Sequence, residues 1–325
     1  MPPFAAKLQI STSSTVMILS FLLLLFFQPS PITSQDLVPK NTINVFLLAG
    51  QSNMAGRGGV TGDNTVTNNA TWDGVVPPQC QPNPSILRLS SDLVWVQAHE
   101  PLHADIDVRK TNGIGPGMSF ANAVLTRDPG FGLVGLVPCA IGGTNISEWE
   151  KGGFLYEQLV RRAQAAQRSG GVYRAVLWYQ GESDTEINED AELYGSRLIR
   201  FFTDLRSDLQ DPILPIIQVA LASGGGPYVD IVRRAQLGAK LVNMQCVDAK
   251  GLPLEPDGLH LTTPAQVRIG ETMAAAFRQT QSSLPTTTTT PIHTISSSPT
   301  FNFKFSSNYY YFLIISLSNV FHGFI

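Results

Sequence analysis

Residues 44–56 read NVFLLAGQSNMAG, an apolar run that stops abruptly at a glycine and is followed two residues later by a serine. The run at 45–49 has the pattern of a strand that is buried on both faces of a parallel sheet. Such a strand delivers the next residues to the carboxyl edge of the sheet, where open α/β folds bind ligands. Glycines on both sides of Ser52 allow a tight backbone path that exposes its hydroxyl there. Ser52 and Asn53 are equally suited to capping the segment that follows, so both roles stay open.

Strand-like and helix-like segments alternate through the middle of the chain. The predicted strands are 45–49, 132–137, 175–179, 213–221 and 244–247, and the predicted helices are 118–127, 154–168, 191–209, 229–241 and 264–278. This alternation predicts an α/β domain with a parallel sheet that is covered by helices on both faces. Residues 56–117 lack the alternation, and we expect them to wrap the sheet edge as loops and short strands.

Composition and length narrow the function classes. The chain has 325 residues, a net charge of -3 and 14% charged residues, so it has no basic field that could hold nucleic acid. It is rich in Gly (28) and Pro (22), which suits an α/β enzyme with many functional loops. We expect one catalytic domain at 35–281.

The first 34 residues have the pattern of a secretory signal peptide. Lys7 precedes an apolar run at 16–27, and small or polar residues follow up to Ser34. This run is too short to span a bilayer comfortably. The sequence therefore predicts cleavage near Gln35, an extracellular protein of the cell wall, and no membrane span in the mature domain.

Residues 282–325 form a tail of different composition. A threonine run at 286–290 and a serine cluster at 296–298 predict a disordered segment rather than a packed core. The apolar stretch at 309–315 follows small residues and a polar spacer, a pattern that resembles a lipid-anchor signal. The alternative is an unstructured or atypically spliced end.

Secretion would allow disulfide formation by cysteines and glycosylation of asparagines. Cys80, Cys139 and Cys246 could form one disulfide and leave one thiol, although the apolar surroundings of Cys139 and Cys246 favour buried neutral thiols. No metal-ligand spacing joins these cysteines to histidines. Asn69 begins a glycosylation acceptor pattern in a polar loop. Asn145 begins a second one, in a glycine-rich turn where a glycan would block the site proposed below.

A loop ahead of the last predicted helix reads EPDGLHLT at residues 255–262. Asp257, three residues before His260, can orient the imidazole through one ring nitrogen. The other nitrogen would then face a serine hydroxyl and activate it as a nucleophile. An Asp-Gly pair is also a common turn sequence, so the spacing alone decides little.

Two further polar loops follow predicted strands. They read GGTNISEW at 142–149 and WYQGESD at 178–184. Their glycines and amides can direct N–H donors at a developing oxyanion. Each loop also fits an ordinary strand-to-helix turn, with Ser147 or Ser183 as a helix cap. Four such loops at successive strand ends favour a site.

Taken in order, the motifs GQSNM (50–54), GGT (142–144), WYQGESD (178–184) and DGLH (257–260) resemble those of plant carbohydrate esterases with a sialate O-acetylesterase-type domain. That group belongs to the SGNH/GDSL hydrolase superfamily, and the resemblance covers about residues 41–281. It implies a flavodoxin-like, three-layer α/β/α fold with a mostly parallel central sheet. It also implies removal of acetyl groups from an acetylated carbohydrate without a metal or an organic cofactor.

The resemblance assigns roles to individual residues. It implies that Ser52 is the nucleophile, His260 the general base and Asp257 the orienting acid. Glu182 is a rival for the acid, because it resembles a glutamate proposed as the partner of histidine in some acetyl-xylan esterases.

The resemblance also implies an oxyanion hole with three donors. The first is the backbone N–H of Ser52, and the second comes from a glycine. The third is a side-chain amide, either Asn145 or Gln180. The glycine candidates are Gly115, Gly117 and Gly143.

Two other functions remain open at this point: a secreted carbohydrate-binding protein that has lost turnover, and a lipid-directed esterase. The joint presence of Ser52, Asp257 and His260 speaks against the first, and the Gln-Gly-Glu motif speaks against the second. Several aromatic residues could stack on sugar rings, although packing explains each of them equally well; these are Trp149, Trp178, Tyr179 and the loop around Trp72. The acetylated glycan and the oligomeric state stay open.

Overall fold

A computed structural model describes residues 42–62 and 69–282 of the chain. The predicted signal peptide lies outside the described residues, as does the predicted tail apart from its first residue. Within the described ranges, we find no helix whose length and apolar character would suffice to cross a bilayer.

The described residues contain strands and helices that alternate, as predicted. The strands are β1 (Ile43–Gly50), β2 (Val60–Thr61), β3 (Thr71–Trp72), β4 (Ile86–Leu89), β5 (Trp95–Gln97), β6 (Leu133–Pro138), β7 (Gly171–Tyr179), β8 (Ile216–Ala220) and β9 (Met244–Asp248). The α-helices are α1 (Ser52–Ala55), α2 (Gly117–Arg127), α3 (Phe154–Arg168), α4 (Asn188–Asp208), α5 (Val229–Gly238) and α6 (Thr263–Ser282). Short 3-10 helices lie at Pro78–Cys80, Ile146–Trp149 and Ser183–Thr185.

Seven of the strands form the main sheet, in the order β5-β4-β6-β1-β7-β8-β9. All neighbours are parallel except β4 and β5, which are antiparallel. If β4 and β5 are set aside, the remaining strands follow the flavodoxin-like order 2-1-3-4-5. The mostly parallel α/β fold is therefore confirmed. Because the chain turns from β6 on one side of β1 to β7 on the other, a ligand crevice is expected where β1 and β7 end.

The strand β1 lies in the centre of this sheet, and all eight of its residues are buried. It pairs with β6 on one side and β7 on the other, which explains why its sequence is apolar without alternation. The prediction of a strand buried on both faces is confirmed.

Aromatic clusters cover the two faces of the sheet. Phe46 on β1 has its ring 4.9 Å from Phe120 of α2 and 5.0 Å from Phe277 of α6. Trp178 on β7 is paired with Ala49 and therefore points to the other face, where its ring lies 4.6 Å from Phe201 of α4. Helices thus pack on both faces, which gives the three layers of the fold.

These clusters correct one expectation from the sequence. Trp149, Trp178 and Tyr179 have no exposed surface, so they pack in the core and cannot stack on a sugar. The Trp149 and Trp178 rings lie 5.3 Å apart. Burial of such large side chains next to the site's loops holds those loops against the sheet.

The boundaries differ from the prediction at several elements. Helix α3 has the predicted bounds, whereas α6 continues to Ser282 and β7 begins earlier, at Gly171. Residues 56–117 contain short strands as expected, but β4 and β5 extend the main sheet rather than wrap its edge. Strand β4 lacks a clear apolar signal because it is short and carries Arg88, whose guanidinium bonds Asp105 at 2.6 Å.

All three cysteines are free thiols in the structure. Burial raises the pKa of Cys139 and of Cys246 to about 11, so both are neutral at physiological pH. This agrees with the expectation of buried neutral thiols at these two positions.

Candidate active site

The turn that follows β1 presents Ser52 at the carboxyl edge of the sheet. Gly50 adopts a φ of 128°, and a Cβ at this position would collide with the backbone of Tyr179. The next N–H, that of Gln51, donates to the Tyr179 carbonyl at 2.9 Å. Ser52 then begins α1, whose N-cap position is occupied by Gln51. The hydroxyl oxygen of Ser52 lies 2.9 Å from Nε2 of His260.

The loop ahead of α6 supplies His260 and holds its ring. Nδ1 of His260 lies 2.6 Å from Oδ2 of Asp257. The other oxygen, Oδ1, accepts the backbone N–H groups of Leu259 at 2.9 Å and His260 at 3.0 Å. Partial burial alone would raise the pKa of Asp257, but the hydrogen bonds from His260 and the backbone outweigh it and lower that pKa to about 2. Asp257 is therefore a carboxylate that orients the imidazole.

Asn53 joins the turn after β1 (residues 50–56, the serine turn) to the loop that carries His260 (residues 255–262, the histidine loop). Its Oδ1 accepts the backbone N–H of Leu261 at 2.9 Å, and its Nδ2 lies 3.4 Å from the carbonyl oxygen of Leu259. These two residues flank His260 in the chain, so a side chain next to Ser52 fixes the backbone on both sides of the histidine. The sequence predicts only a capping role for Asn53, because these two partners lie more than 200 residues away in the chain.

Glu182 occupies a different position from that of an acid partner of His260. Its Oε1 accepts a hydrogen bond from Nδ2 of Asn53 at 2.7 Å, and Asp257 is the acid in contact with His260. Oε2 has no partner among the described residues, although both oxygens are buried. Burial raises the pKa of Glu182 to about 7. The structure thus places Asp257, and not Glu182, behind the imidazole.

Ser52 and Gly143, each of which carries a backbone N–H, line the same small cavity. This cavity has a volume of about 210 Å³ and is lined by Ser52, Gly143 and His260 among others. Within residues 42–62 and 69–282, neither the N–H of Ser52 nor that of Gly143 has a hydrogen-bond acceptor. Two unpaired N–H groups beside a serine hydroxyl can bind an oxyanion.

The other two glycine candidates lie elsewhere. A Cβ at Gly115 would meet the backbone of Met54 and Gly56 behind the turn, and one at Gly117 would meet the side chains of Leu48 and Leu102 in the core. Neither glycine lines the cavity at Ser52. Gly143 is thus the candidate that the structure brings next to the serine.

Neither side-chain amide faces the serine. Nδ2 of Asn145 lies 3.3 Å from Oδ2 of Asp190, and its side chain caps the 3-10 helix that follows. Gln180 is fully buried, and its Nε2 lies 2.6 Å from Oδ2 of Asp184 and 2.9 Å from the Thr144 carbonyl oxygen. The expectation that one of these amides completes the oxyanion hole is not met, because both amides hold loops together instead.

A buried ion pair supports the loop at residues 142–149, which we call the glycine loop. Nη2 of Arg57 lies 2.5 Å from Oδ2 of Asp107, and both side chains are only 2% exposed. The same carboxylate oxygen accepts the N–H of Gly142 at 3.2 Å. This arrangement fixes the residue before Gly143. The partners lie 50 positions apart, and no local pattern in the sequence points to the pair.

A larger cavity adjoins the one at Ser52. Its volume is about 970 Å³, and it shares Lys110, Gly142 and Gly143 with the smaller cavity. Its walls come from residues 106–110, from the glycine loop and from the beginning of α3. The serine therefore lies at one end of an extended depression.

The candidate glycosylation sites differ in exposure. Asn69 is exposed beside the undescribed residues 63–68, whereas Asn145 is half-buried and hydrogen-bonded as described above. In the described part of the chain, no three His, Cys, Asp or Glu side chains cluster as metal ligands would.

A 2-1-3-4-5 sheet with serine, histidine and aspartate in contact at its carboxyl edge is the arrangement of a serine-type hydrolase. Residues 42–279 match the family model described as carbohydrate esterase, sialic acid-specific acetylesterase, and the chain belongs to this family. The protein is therefore a carboxylic ester hydrolase that acts on acetyl esters of carbohydrates.

Individual relatives agree with this assignment. The chain is 58% identical over 244 residues to the probable carbohydrate esterase At4g34215 of Arabidopsis thaliana, covering 75% of this chain and 92% of that protein. The X-ray structure of the Arabidopsis protein has a TM-score of 0.70 at 57% identity, over 73% of this chain and 98% of that one.

More distant structures share the fold. NanS has a TM-score of 0.59 at 17% identity, over 74% of this chain and 98% of its own. A carbohydrate acetylesterase from Xanthomonas citri has a TM-score of 0.55 at 20% identity, over 73% of this chain and 56% of its own.

Proposed function

We propose that the protein is a secreted serine esterase that removes O-acetyl groups from cell-wall carbohydrate through an acetyl-serine intermediate. The observation that carries this proposal is the 2.9 Å contact between Oγ of Ser52 and Nε2 of His260, with Asp257 behind the ring. Serine hydrolases on unrelated folds use this arrangement to make the hydroxyl a nucleophile.

Acylation begins when Oγ of Ser52 attacks the acetyl carbonyl carbon and Nε2 of His260 accepts the hydroxyl proton. The Asp257 carboxylate accepts a hydrogen bond from Nδ1–H and stabilises the imidazolium that forms. The N–H groups of Ser52 and Gly143 bind the oxyanion of the tetrahedral intermediate. The bond between the carbonyl carbon and the sugar oxygen then breaks, and His260 returns its proton to that oxygen.

Deacylation repeats these steps with water. His260 accepts a proton from the water as the water oxygen attacks the acetyl group on Ser52. The same two N–H groups bind the second oxyanion. When it collapses, the ester bond to Ser52 breaks, His260 protonates the serine oxygen, and acetate leaves.

The cavity at Ser52 favours a short acyl group over a lipid chain. It is small, and polar side chains line it, among them Gln51, Glu182 and Ser183. A long acyl chain needs an apolar channel to compensate for its removal from water. We therefore expect turnover of acyl esters to decrease as the acyl chain becomes longer than acetyl.

The predicted signal peptide at residues 1–34 supports an extracellular location, with the catalytic domain at 35–281. The tail at 282–325 is a candidate for lipid anchoring, and Asn69 is a candidate for N-glycosylation. N-terminal sequencing of the protein from the medium of a plant host tests cleavage near Gln35. Recovery of the protein only inside the cells would contradict secretion.

The test of the proposed function compares the full chain with Ser52→Ala and Ser196→Ala. Ser196 lies exposed on α4, away from the cavity, and serves as the matched control. Acetate release is measured from acetylated xylan, acetylated pectin and an aryl acetate. We expect Ser52→Ala to lose nearly all turnover and Ser196→Ala to retain it.

Rapid acid quench of the aryl acetate reaction, followed by peptide mass spectrometry, tests the intermediate. We expect the mass of one acetyl group on the peptide that contains Ser52. Full activity in Ser52→Ala would overturn the serine mechanism. Binding of acetylated glycans without any acetate release would instead support a binding protein.

A further inference from the structure

The large cavity next to Ser52 has the features of a glycan-binding groove. We infer that it binds the sugar chain on which the acetyl group is carried, and that the Phe154 ring at its edge stacks on a sugar several residues away from the acetylated one. The inference rests on the proposed function, because it describes where the substrate of the same site extends.

The two cavities share three lining residues but differ in size. The one at Ser52 holds about 210 Å³, enough for the acetyl group and its immediate surroundings, whereas the neighbouring groove holds about 970 Å³. The groove is at the upper end of the range for small-molecule sites. An acetylated monosaccharide would leave most of it empty, so the groove matches a chain of several sugars.

Exposed apolar side chains line this groove. Phe154 is 75% exposed and Val108 is 70% exposed, which makes them the two most exposed large hydrophobic side chains of the described residues. They come from separate segments, the start of α3 and the loop before α2, yet both line the groove. Single exposed hydrophobic residues are common on surfaces, but two in one depression beside a nucleophile indicate a binding surface.

The polar side chains of the groove suit hydroxyl groups. Positively and negatively charged side chains both line the groove, so its electrostatic potential is not of a single sign. The charged residues are Arg109, Lys110, Glu148, Glu150 and Lys151. Sugar hydroxyls donate and accept hydrogen bonds and can therefore match both signs. The flat apolar face of a sugar ring can at the same time lie on an aromatic ring. A lipid chain offers these charged side chains no hydrogen-bonding groups, whereas a sugar chain does.

The experiment compares Phe154→Ala with Phe154→Tyr and with Val242→Ala. Val242 is 69% exposed but lies outside both cavities, which makes it a matched control for the loss of an exposed side chain. Initial rates are measured on an aryl acetate and on acetylated xylan and galacturonan oligosaccharides of increasing length. The readout is the ratio of kcat/KM for the oligosaccharide to kcat/KM for the aryl acetate.

We expect Phe154→Ala to lower this ratio by about tenfold on long oligosaccharides, through a higher KM. Phe154→Tyr keeps the ring and should restore the ratio, and Val242→Ala should leave it unchanged. In the wild type, kcat/KM should rise with oligosaccharide length, and Phe154→Ala should reduce that rise. Thermal unfolding of each variant confirms that the protein is folded.

Two results would overturn the inference. One is an unchanged ratio in Phe154→Ala, and the other is a wild type that deacetylates short and long oligosaccharides with equal kcat/KM. These results differ from those expected if the proposed function itself is wrong. In that case the wild type would release no acetate from the aryl ester or from any glycan.

Discussion

At the scale of single residues, the surroundings of two carboxylates in the site shift their pKa values in opposite directions. Asp257 accepts hydrogen bonds from His260 and two backbone N–H groups, and its pKa is lowered to about 2. Glu182 is buried against Asn53, and its pKa is raised to about 7. The first is suited to stabilise an imidazolium, whereas the second can be neutral near physiological pH.

Substitution of these acids distinguishes their roles. Asp257→Asn keeps the shape but removes the charge behind His260, so we expect kcat on an aryl acetate to decrease by about 1000-fold to 10,000-fold. Glu182→Gln keeps an acceptor for Asn53 and should decrease kcat far less. Steady-state kinetics of both variants at one pH is the measurement. A larger loss in Glu182→Gln would make Glu182 the functional acid.

Glu182 should also affect how stability depends on pH. Its pKa is about 7 in the folded protein against an ordinary value of 4.5, so between these pH values the folded state keeps a proton that the unfolded state has lost. The free energy of unfolding therefore decreases as the pH rises through this window, by on the order of 3 kcal/mol from this group. Above pH 7 the whole of this decrease in the free energy of unfolding is present, and below pH 4.5 none of it is.

Urea unfolding of the wild type and of Glu182→Gln between pH 4 and 8 tests this expectation. The variant should lose less stability as the pH rises. Burial also raises the pKa of Glu100 to about 8 and of Asp184 to about 6, so part of the pH dependence should remain in the variant. Equal pH dependence in the two proteins would show that Glu182 does not carry this effect.

At the scale of elements, the site depends on loops that long-range contacts fix to one another. The turn after β1 contacts the loop after β7 through Gln51, whose Oε1 accepts the Gly181 N–H at 3.1 Å. The same turn holds the histidine loop through Asn53. Ser52 follows β1, whereas Asp257 and His260 stand in one loop after β9, so these links determine the distance between the serine and the histidine.

The ion pair under the glycine loop should be important for both folding and turnover. Asp107→Asn leaves the guanidinium of Arg57 buried without a carboxylate, which typically costs about 3 to 5 kcal/mol. It also changes the acceptor of the Gly142 N–H, so Gly143 should move relative to Ser52. We expect lower kcat with little change in KM for an aryl acetate, measured at a temperature where the variant is folded.

The exposed pair between Lys151 and Asp208 provides the control. Lys151→Ala breaks a 2.6 Å contact on the surface, where water and salt screen the pair, so we expect little change in stability. An Asp107→Asn variant that is as stable and as active as Lys151→Ala would show that the buried pair does not support the site.

The elements also show which parts of the site can be predicted from sequence. Ser52, Asp257 and His260 stand in short motifs at strand and helix ends, and local chain geometry suffices to bring them to one edge. The amides of Asn145 and Gln180 stand in equally clear motifs, but their direction is set by Asp190 and Asp184. The direction of a polar side chain depends on distant partners, which a motif does not reveal.

At the scale of the whole molecule, apolar periodicity predicted the fold but not every strand or surface. The central strands are long apolar runs, whereas β4 is short and includes a charged residue, so its place in the sheet depends on pairing with β6. Phe154 occupies the first position of an amphipathic helix, where sequence cannot distinguish a core aromatic from an exposed one. Exposure is a property of the assembled molecule.

The helix α6 connects the hydrophobic core to the site, since it begins at Thr263, shortly after His260. Near its other end, Phe277 is buried and its ring lies 5.0 Å from Phe46 and 6.1 Å from Phe131. Phe277→Ala should therefore lower the free energy of unfolding by about 3 to 5 kcal/mol. The histidine loop is held separately by Asn53, so kcat and KM of the folded variant should stay near those of the wild type.

Urea unfolding and aryl acetate turnover, measured on the same samples, test this expectation. Phe154→Ala removes an exposed ring and should change stability by less than about 0.5 kcal/mol, which makes it the control for loss of a phenylalanine. If Phe277→Ala lowers kcat in proportion to stability, then α6 positions His260 directly. If kcat is kept while stability falls, the contacts of Asn53 suffice to hold the histidine loop, and the core and the site are energetically separable.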